Sequence, residues 1–254
     1  MTVDAAPLLE VKGLSKHFGG LTAVDEVNYQ VGSHEIRGII GPNGAGKTTF
    51  FNVITGDLKP SAGKIFLKGE DITHLPAHKI CRKGMSRTFQ LTFIFPNMTV
   101  YDCVWVGLYS SKMKPGGLFF SSADRKGELA RKTEEICRLV GLEDKIDTLA
   151  SNLSYGDQKV LEIAMALSTD PIILLLDEPT QGVGPKETDD IVALIGRLSR
   201  SMSVVLIEHN IDIIMRICHT LTVFSFGRVI AEGDCRAVAM NEEVQRIYLG
   251  EEAL

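Results

Sequence analysis

The chain has 254 residues, of which 44% are apolar and 23% charged, and carries a formal net charge of −5 at pH 7. That composition belongs to a globular protein with a substantial core, and its acidic balance, without a long lysine or arginine block, argues against a nucleic-acid binder or a protein that holds a membrane surface unaided. Five cysteines, at 81, 103, 137, 218 and 235, are scattered and form no C-x-x-C pair, so neither a disulfide framework nor a zinc site is expected.

Along the chain, residues 8–40 read as short alternating strands, Leu9 to Lys12 and Val27 to Val31, broken by Gly19-Gly20 and Gly32, and Gly63 to Gly69 adds another. An antiparallel β layer is predicted there. Between these strands lies Gly41-Pro42-Asn43-Gly44-Ala45-Gly46-Lys47-Thr48, which satisfies G-x-x-x-x-G-K-[ST] directly after the apolar run Ile36 to Ile40. Phe50, Val53 and Ile54 recur beyond it at helical spacing. Glycines at 41, 44 and 46 let the backbone turn tightly and aim N–H groups inward, a nest for phosphate oxygens at a helix N-terminus. Lys47 is expected against the β and γ phosphates of a nucleoside triphosphate, the Thr48 hydroxyl on Mg²⁺, and Thr49 among the nucleotide contacts.

From Thr99 to about Leu167 the period turns helical. Thr99 and Asp102 suit a capping box, and Leu129, Ile136 and Val140 mark an amphipathic face. Within this stretch Lys112 to Ser122, with Phe119-Phe120, reads as an irregular excursion. Leu153-Ser154-Tyr155-Gly156-Asp157-Gln158 then offers Ser154 as the cap of a helix with Asp157 at its third position, while Gly156 keeps the end clear so that N–H groups and the helix dipole face an anion.

Ile172 to Leu176 is an apolar strand ending in Asp177-Glu178. Asp177 is placed to hold magnesium, and Glu178, one residue on, to polarise a water as general base. After it the pattern alternates: a helix from about Pro185 to Arg200, a strand Val204 to Ile207, a helix from about Asn210 to Cys218, a strand Leu221 to Phe226, and a last helix capped by Asn241 with Val244, Ile247 and Tyr248 on one side. Continuous apolar strands alternating with helices predict a parallel sheet covered on both faces. No apolar run nears the roughly 18 residues of a membrane span, and Met1-Thr2-Val3-Asp4 lacks a signal region, so a cytosolic chain with borrowed membrane attachment is expected.

Taken together, the phosphate loop, the Leu153 to Gln158 segment and the Asp177-Glu178 strand end resemble the ABC-type ATPases over essentially the whole chain. The resemblance implies an α/β P-loop NTPase (RecA-like) core with an N-terminal antiparallel β layer and an inserted α-helical subdomain. Residues 8–254 would form one ABC ATPase domain: 8–90 plus 168–254 as the core and β layer, about 91–167 as the helical part. It implies adenine stacking by Phe18, magnesium contact by Gln90 and γ-phosphate contact by His209. Unaided, Phe18 suits a core equally well, Gln90 a surface, and His209 a structural role at a strand end. Tyr155 and Asp157 depart from the commonest form of the Ser154 segment, and a tyrosine there is usual in the branch that powers branched-chain amino-acid and urea importers. Phe95 to Val100 and the ending Tyr248-Leu249-Gly250-Glu251-Glu252 are similar to the same branch. Gly184 stands where the family has aspartate or asparagine.

The family resemblance further implies that two such subunits clasp ATP head to tail, each nucleotide between one chain's Lys47 loop and the other's Ser154 helix. Partners would be a second ABC ATPase subunit, identical or homologous, integral-membrane permease subunits and, indirectly, a periplasmic binding protein, with no nucleic acid. The place of work would be the cytoplasmic face of the inner membrane. Lipid or lipopolysaccharide export and a soluble ABC ATPase are the alternative readings.

Overall fold

The computed structural model describes residues 6–88, 94–112 and 127–251. Gln90 lies outside them, as do residues 113–122 of the excursion with Phe119-Phe120. Two sheets organise the chain. The first is antiparallel, ordered β2-β1-β4-β5, from β1 (Leu9–Phe18), β2 (Leu21–Val31), β4 (Ala62–Leu67) and β5 (Glu70–Asp71). The second, of six strands, is ordered β10-β9-β3-β8-β7-β6: β3 (Ile36–Ile40), β6 (Met85–Arg87), β7 (Ile173–Asp177), β8 (Ser203–Ile207) and β9 (Thr220–Ser225) run parallel, and β10 (Arg228–Asp234) pairs antiparallel to β9.

Every residue of β3, β7 and β8 is buried, and the two-residue period of a strand sends their side chains into two different cores. Ile36, Leu174, Leu176, Val204 and Leu206 face a core shared with helices α3 (Val100–Lys112), α4 (Glu128–Val140), α5 (Tyr155–Leu167) and α6 (Pro185–Leu198). Ile39, Ile173, Leu175, Val205 and Ile207 face the opposite core, which holds helix α1 (Lys47–Ile54) and the inner face of the antiparallel sheet. In that core Phe50, wholly buried, packs edge-on against Tyr29 at 5.2 Å between ring centres and against Phe224 at the same separation. The helix that opens with Lys47 is therefore clamped between two sheets, so the loop ahead of it is carried by a rigid frame.

The local signals translate into structure with instructive differences. β1 continues six residues beyond Lys12: its register shifts at Val11/Leu14, where Gly13 has φ 55°, and such a bulge disrupts the alternation by which a strand is read. Thr99 accepts from the Asp102 amide at 3.1 Å and its hydroxyl donates to the Asp102 carboxylate at 2.9 Å, a reciprocal cap for α3. On α4 the buried stripe is Ala130, Thr133, Cys137 and Val140, with Leu129 and Ile136 on its flank, because small side chains let the helix approach its neighbours. The Asn241 side chain caps α9 (Glu242–Glu251), accepting from the amides of Glu243 and Val244. Between these pieces, α2 (Ala77–Arg82), β6, β10, α7 (Ile211–Ile217) and α8 (Cys235–Ala239) complete the frame. No helix among the described residues is long and apolar enough to cross a membrane.

Candidate nucleotide site

Parallel registry brings the carboxyl ends of β3, β7 and β8 level, since Ile39 and Asp177 both stand opposite Ile207. Ligands of open α/β sheets settle at such strand ends. Here the chain leaves β3 through Gly41 to Gly46 and enters α1 at Lys47. Gly46 caps that helix at φ 99°, and a Cβ there would lie 2.3 Å from the Ala23 carbonyl oxygen, so no larger residue fits without moving the β layer. The Lys47 side chain is buried, and its ammonium donates to the carbonyls of Gly41 and of Pro42, the latter at 3.0 Å. From the other side the β9–β10 turn holds the loop, Gly227 N–H donating to the Ala45 carbonyl at 2.9 Å. Asn43, Gly44 and Thr48 are exposed, and Pro42 and Thr49 half-buried. The backbone is thus fixed from behind while the rim of the loop is open.

Asp177 and Glu178 take separate partners. The Asp177 side chain is wholly buried, and its Oδ2 accepts from Arg87 Nη2 at 2.7 Å. Its Oδ1 is also buried and has no hydrogen-bond partner among the described residues. Burial pushes this carboxyl up from its ordinary range, against the pull of the Arg87 guanidinium. An orphaned carboxylate oxygen near the Lys47 loop, with the Thr48 hydroxyl next along the chain, is an oxygen donor set that fits a hard divalent cation such as Mg²⁺. Glu178 lies just past β7 at φ 53°, and its Oε1 is 2.5 Å from His209 Nε2. The carboxylate is buried while the imidazole is 44% exposed. The neighbouring Glu208 is turned away, accepting from the Thr180 amide and hydroxyl, and burial raises its pKa.

A second cluster surrounds the N-terminus of α5. Ser154 Oγ accepts from the Asp157 amide at 3.1 Å and donates to the Asp157 carboxylate at 2.7 Å, which also receives Lys145 at 2.5 Å. Burial works to raise the Asp157 carboxyl, but the bonds from Lys145 and Ser154 hold it below its ordinary range. For Gly156 the geometry adds a reason that spacing alone does not: a Cβ would lie 2.7 Å from Cγ of Glu187 on α6. The glycine therefore serves packing between α5 and α6. Tyr155 lies against Gly182, where an added Cβ would be 3.0 Å from its ring, and Gly184 abuts the Glu187 carboxylate. The loop after β7 and the start of α5 thus touch within one chain.

Of the residues singled out from the sequence, Gly41 to Thr49, Asp177, Glu178 and His209 gather at the strand ends; Ser154 and Gly156 belong to the α5 cluster. Phe18, at the end of β1, is 44% exposed beneath the Lys16 ammonium, 5.0 Å from its ring centre, and is no core residue. Missed by the sequence reading were Arg87 and Glu187, whose only signals were a charge within a three-residue strand and an acidic first turn.

Comparison with known proteins accords with this geometry. The family described as ABC transporter matches residues 24–181. The high-affinity branched-chain amino acid transport ATP-binding protein BraF of Pseudomonas aeruginosa is 42% identical over 255 residues, covering 96% of this chain and 98% of BraF. The ADP conformation of MJ1267, an ATP-binding cassette of an ABC transporter, superposes with a TM-score of 0.87 at 31% identity over 97% of this chain and 100% of that one. A dimeric bacterial ABC transporter cassette, MJ0796, gives a TM-score of 0.77 at 25% identity over 90% and 99%. Loop, strand ends and capped helix, together with these likenesses, mean that the chain belongs to the ABC transporter family as a nucleotide-binding ATPase cassette.

Proposed function

We propose that this chain is the ATP-hydrolysing subunit of an importer for branched-chain amino acids or a similar small amino-acid or amide solute, bound to permease subunits at the cytoplasmic face of the cell membrane. One observation carries the hydrolytic part: the buried Glu178 carboxylate, held by His209, stands beside Asp177 at the strand end next to the phosphate loop. The kinship with BraF over nearly the full chain supports the solute class.

In this reading the backbone N–H groups of Asn43 to Thr49 and the Lys47 ammonium bind the phosphates, and Thr48, Asp177 and Gln90 would hold Mg²⁺. When bound, the ion neutralises charge on the β and γ phosphate oxygens. Glu178 accepts a proton from the water aimed at the γ-phosphorus, and His209, released from Glu178, donates toward the γ-phosphate oxygens. Ser154 and the α5 N-terminus face the nucleotide of a second cassette, identical or homologous. A nucleotide gripped by both subunits only while its γ-phosphate is present supplies the differential contact a ligand-driven switch requires.

Phe18→Ala tests the adenine role. Base stacking on an aromatic is worth about 1–3 kcal/mol, so ATP affinity should fall roughly tenfold while inorganic tripolyphosphate binds as before; equal ATP affinity returns Phe18 to an ordinary surface position. The solute class is tested by reconstituting the chain with its permease subunits and binding protein in vesicles. Leucine-loaded binding protein should stimulate ATP hydrolysis and uptake. Stimulation by a lipid substrate, with none by amino acids, would place the chain in an exporter instead.

A further inference from the structure

β6 ends in a buried arginine that makes contacts on two other elements. The Arg87 side chain is only 5% exposed, and burying its charged group is costly unless its donors are engaged. One arm donates to Oδ2 of Asp177 at the end of β7, at 2.7 Å. Another donates to Oδ1 of Asn52 on α1. Its plane lies over the ring of Phe51, also on α1, at 5.4 Å from the ring centre, and Asp57 just beyond that helix is 3.8 Å away. Asp57 in turn accepts from the Thr55 hydroxyl at 2.9 Å. A guanidinium is a rigid planar fork, so contacts at its two arms fix the distance and angle between the groups they hold.

Those two groups belong to the two halves of the metal site. Helix α1 opens with Lys47 and Thr48, and β7 delivers Asp177. With Oδ2 committed to Arg87, the carboxylate cannot rotate freely, and Oδ1 is the oxygen left without a protein partner among the described residues. We propose that Arg87 is a positioning residue for the magnesium of the nucleotide complex: it ties α1 to β7 and turns Oδ1 of Asp177 toward the ion. It touches neither nucleotide nor metal. Lysine would keep the charge but not the fork, and a neutral side chain would free both carboxylate oxygens. In sequence Arg87 stands three positions ahead of Gln90, so one short segment carries both the spacer and the glutamine assigned to the same ion.

This inference rests on the nucleotide reading above, and the test separates the two. Binding of a fluorescent ADP to the full chain is titrated with and without Mg²⁺, and Mn²⁺ affinity of the ADP complex is read by electron paramagnetic resonance. For Arg87→Lys, Mn²⁺ affinity should drop about 10- to 100-fold, the cost usual for losing an outer-shell partner of a metal ligand. Metal-free ADP affinity should stay within about twofold, since phosphate and base contacts are not altered. If Arg87→Lys fails to fold by circular dichroism, Asn52→Ala decides by the same criterion, because it cuts the α1 side and leaves the ion pair. Metal-free and metal-bound affinities falling in proportion, or neither moving, overturns the role of Arg87. A wild-type chain whose ADP binding ignores Mg²⁺ overturns the metal assignment of Asp177 and the Arg87 proposal with it.

Discussion

Glu178→Gln is expected to bind MgATP as well as the wild type while turning over about 10²- to 10⁴-fold more slowly, the range typical for loss of a general base. Glutamine preserves the volume of the side chain and can still bond to His209, so the packing at the end of β7 should survive. What it removes is the basic oxygen now 2.5 Å from His209 Nε2. Glu178 holds a left-handed backbone at φ 53°, unfavourable for a residue with a Cβ, and its carboxylate is buried against a half-exposed imidazole. Two measurements check the prediction. Phosphate release under single-turnover conditions should be slow, and size-exclusion chromatography with MgATP should show a dimer, because a nucleotide that keeps its γ-phosphate keeps both grips. Undiminished phosphate release removes Glu178 from the general-base role; a strictly monomeric variant, even beside its membrane complex, removes the two-subunit clasp.

The sequence disclosed the parts of the site that depend on local chemistry. Glycines at fixed offsets before Lys47, a serine placed to cap α5 and two carboxylates closing an apolar strand each have a short-range physical reason, and each stands in its own element. Less legible was what depends on elements meeting from far along the chain. Gly156 reads as an opening for an anion until Glu187, 31 positions later, is seen filling the space beside it. Arg87 is a lone charge in sequence, but its partners Asn52 and Asp177 lie on elements that meet only after the sheet order β3-β8-β7-β6 is set. β6 itself spans three residues, too few to show a period, and in β10 the burial pattern is broken on both faces.

The α5 cluster bears on the departure at position 184. A carboxylate or amide there would project from the residue that caps α6, where a Cβ would already lie 2.6 Å from the Glu187 carboxylate. Glycine leaves the flexible end of Glu187 where it is, whereas an aspartate would set a like charge beside it. Glu187 and Tyr155 instead join this loop to α5 within the chain.

Lys47→Ala should cost the chain its grip on phosphate. A hydrogen bond to a charged group is worth about 1.5–3 kcal/mol, which sets an expected loss of roughly 10- to 150-fold in ATP affinity. The loss has two sources in this structure. The ammonium is the positive charge buried at the heart of the loop, and it also donates to the carbonyls of Gly41 and Pro42. Without it those carbonyls face the phosphates with no cation between them. Lys47→Met separates the two effects from simple loss of packing, because it keeps most of the stem that lies buried between α1 and the loop. Both variants should therefore lose ATP affinity alike and bind adenosine as the wild type does. Equal ATP affinity in Lys47→Met and the wild type would show that the loop amides suffice and that Lys47 supports the loop alone. Adenosine binding falling in step with ATP would mean instead that the substitution has deformed the frame between the two sheets.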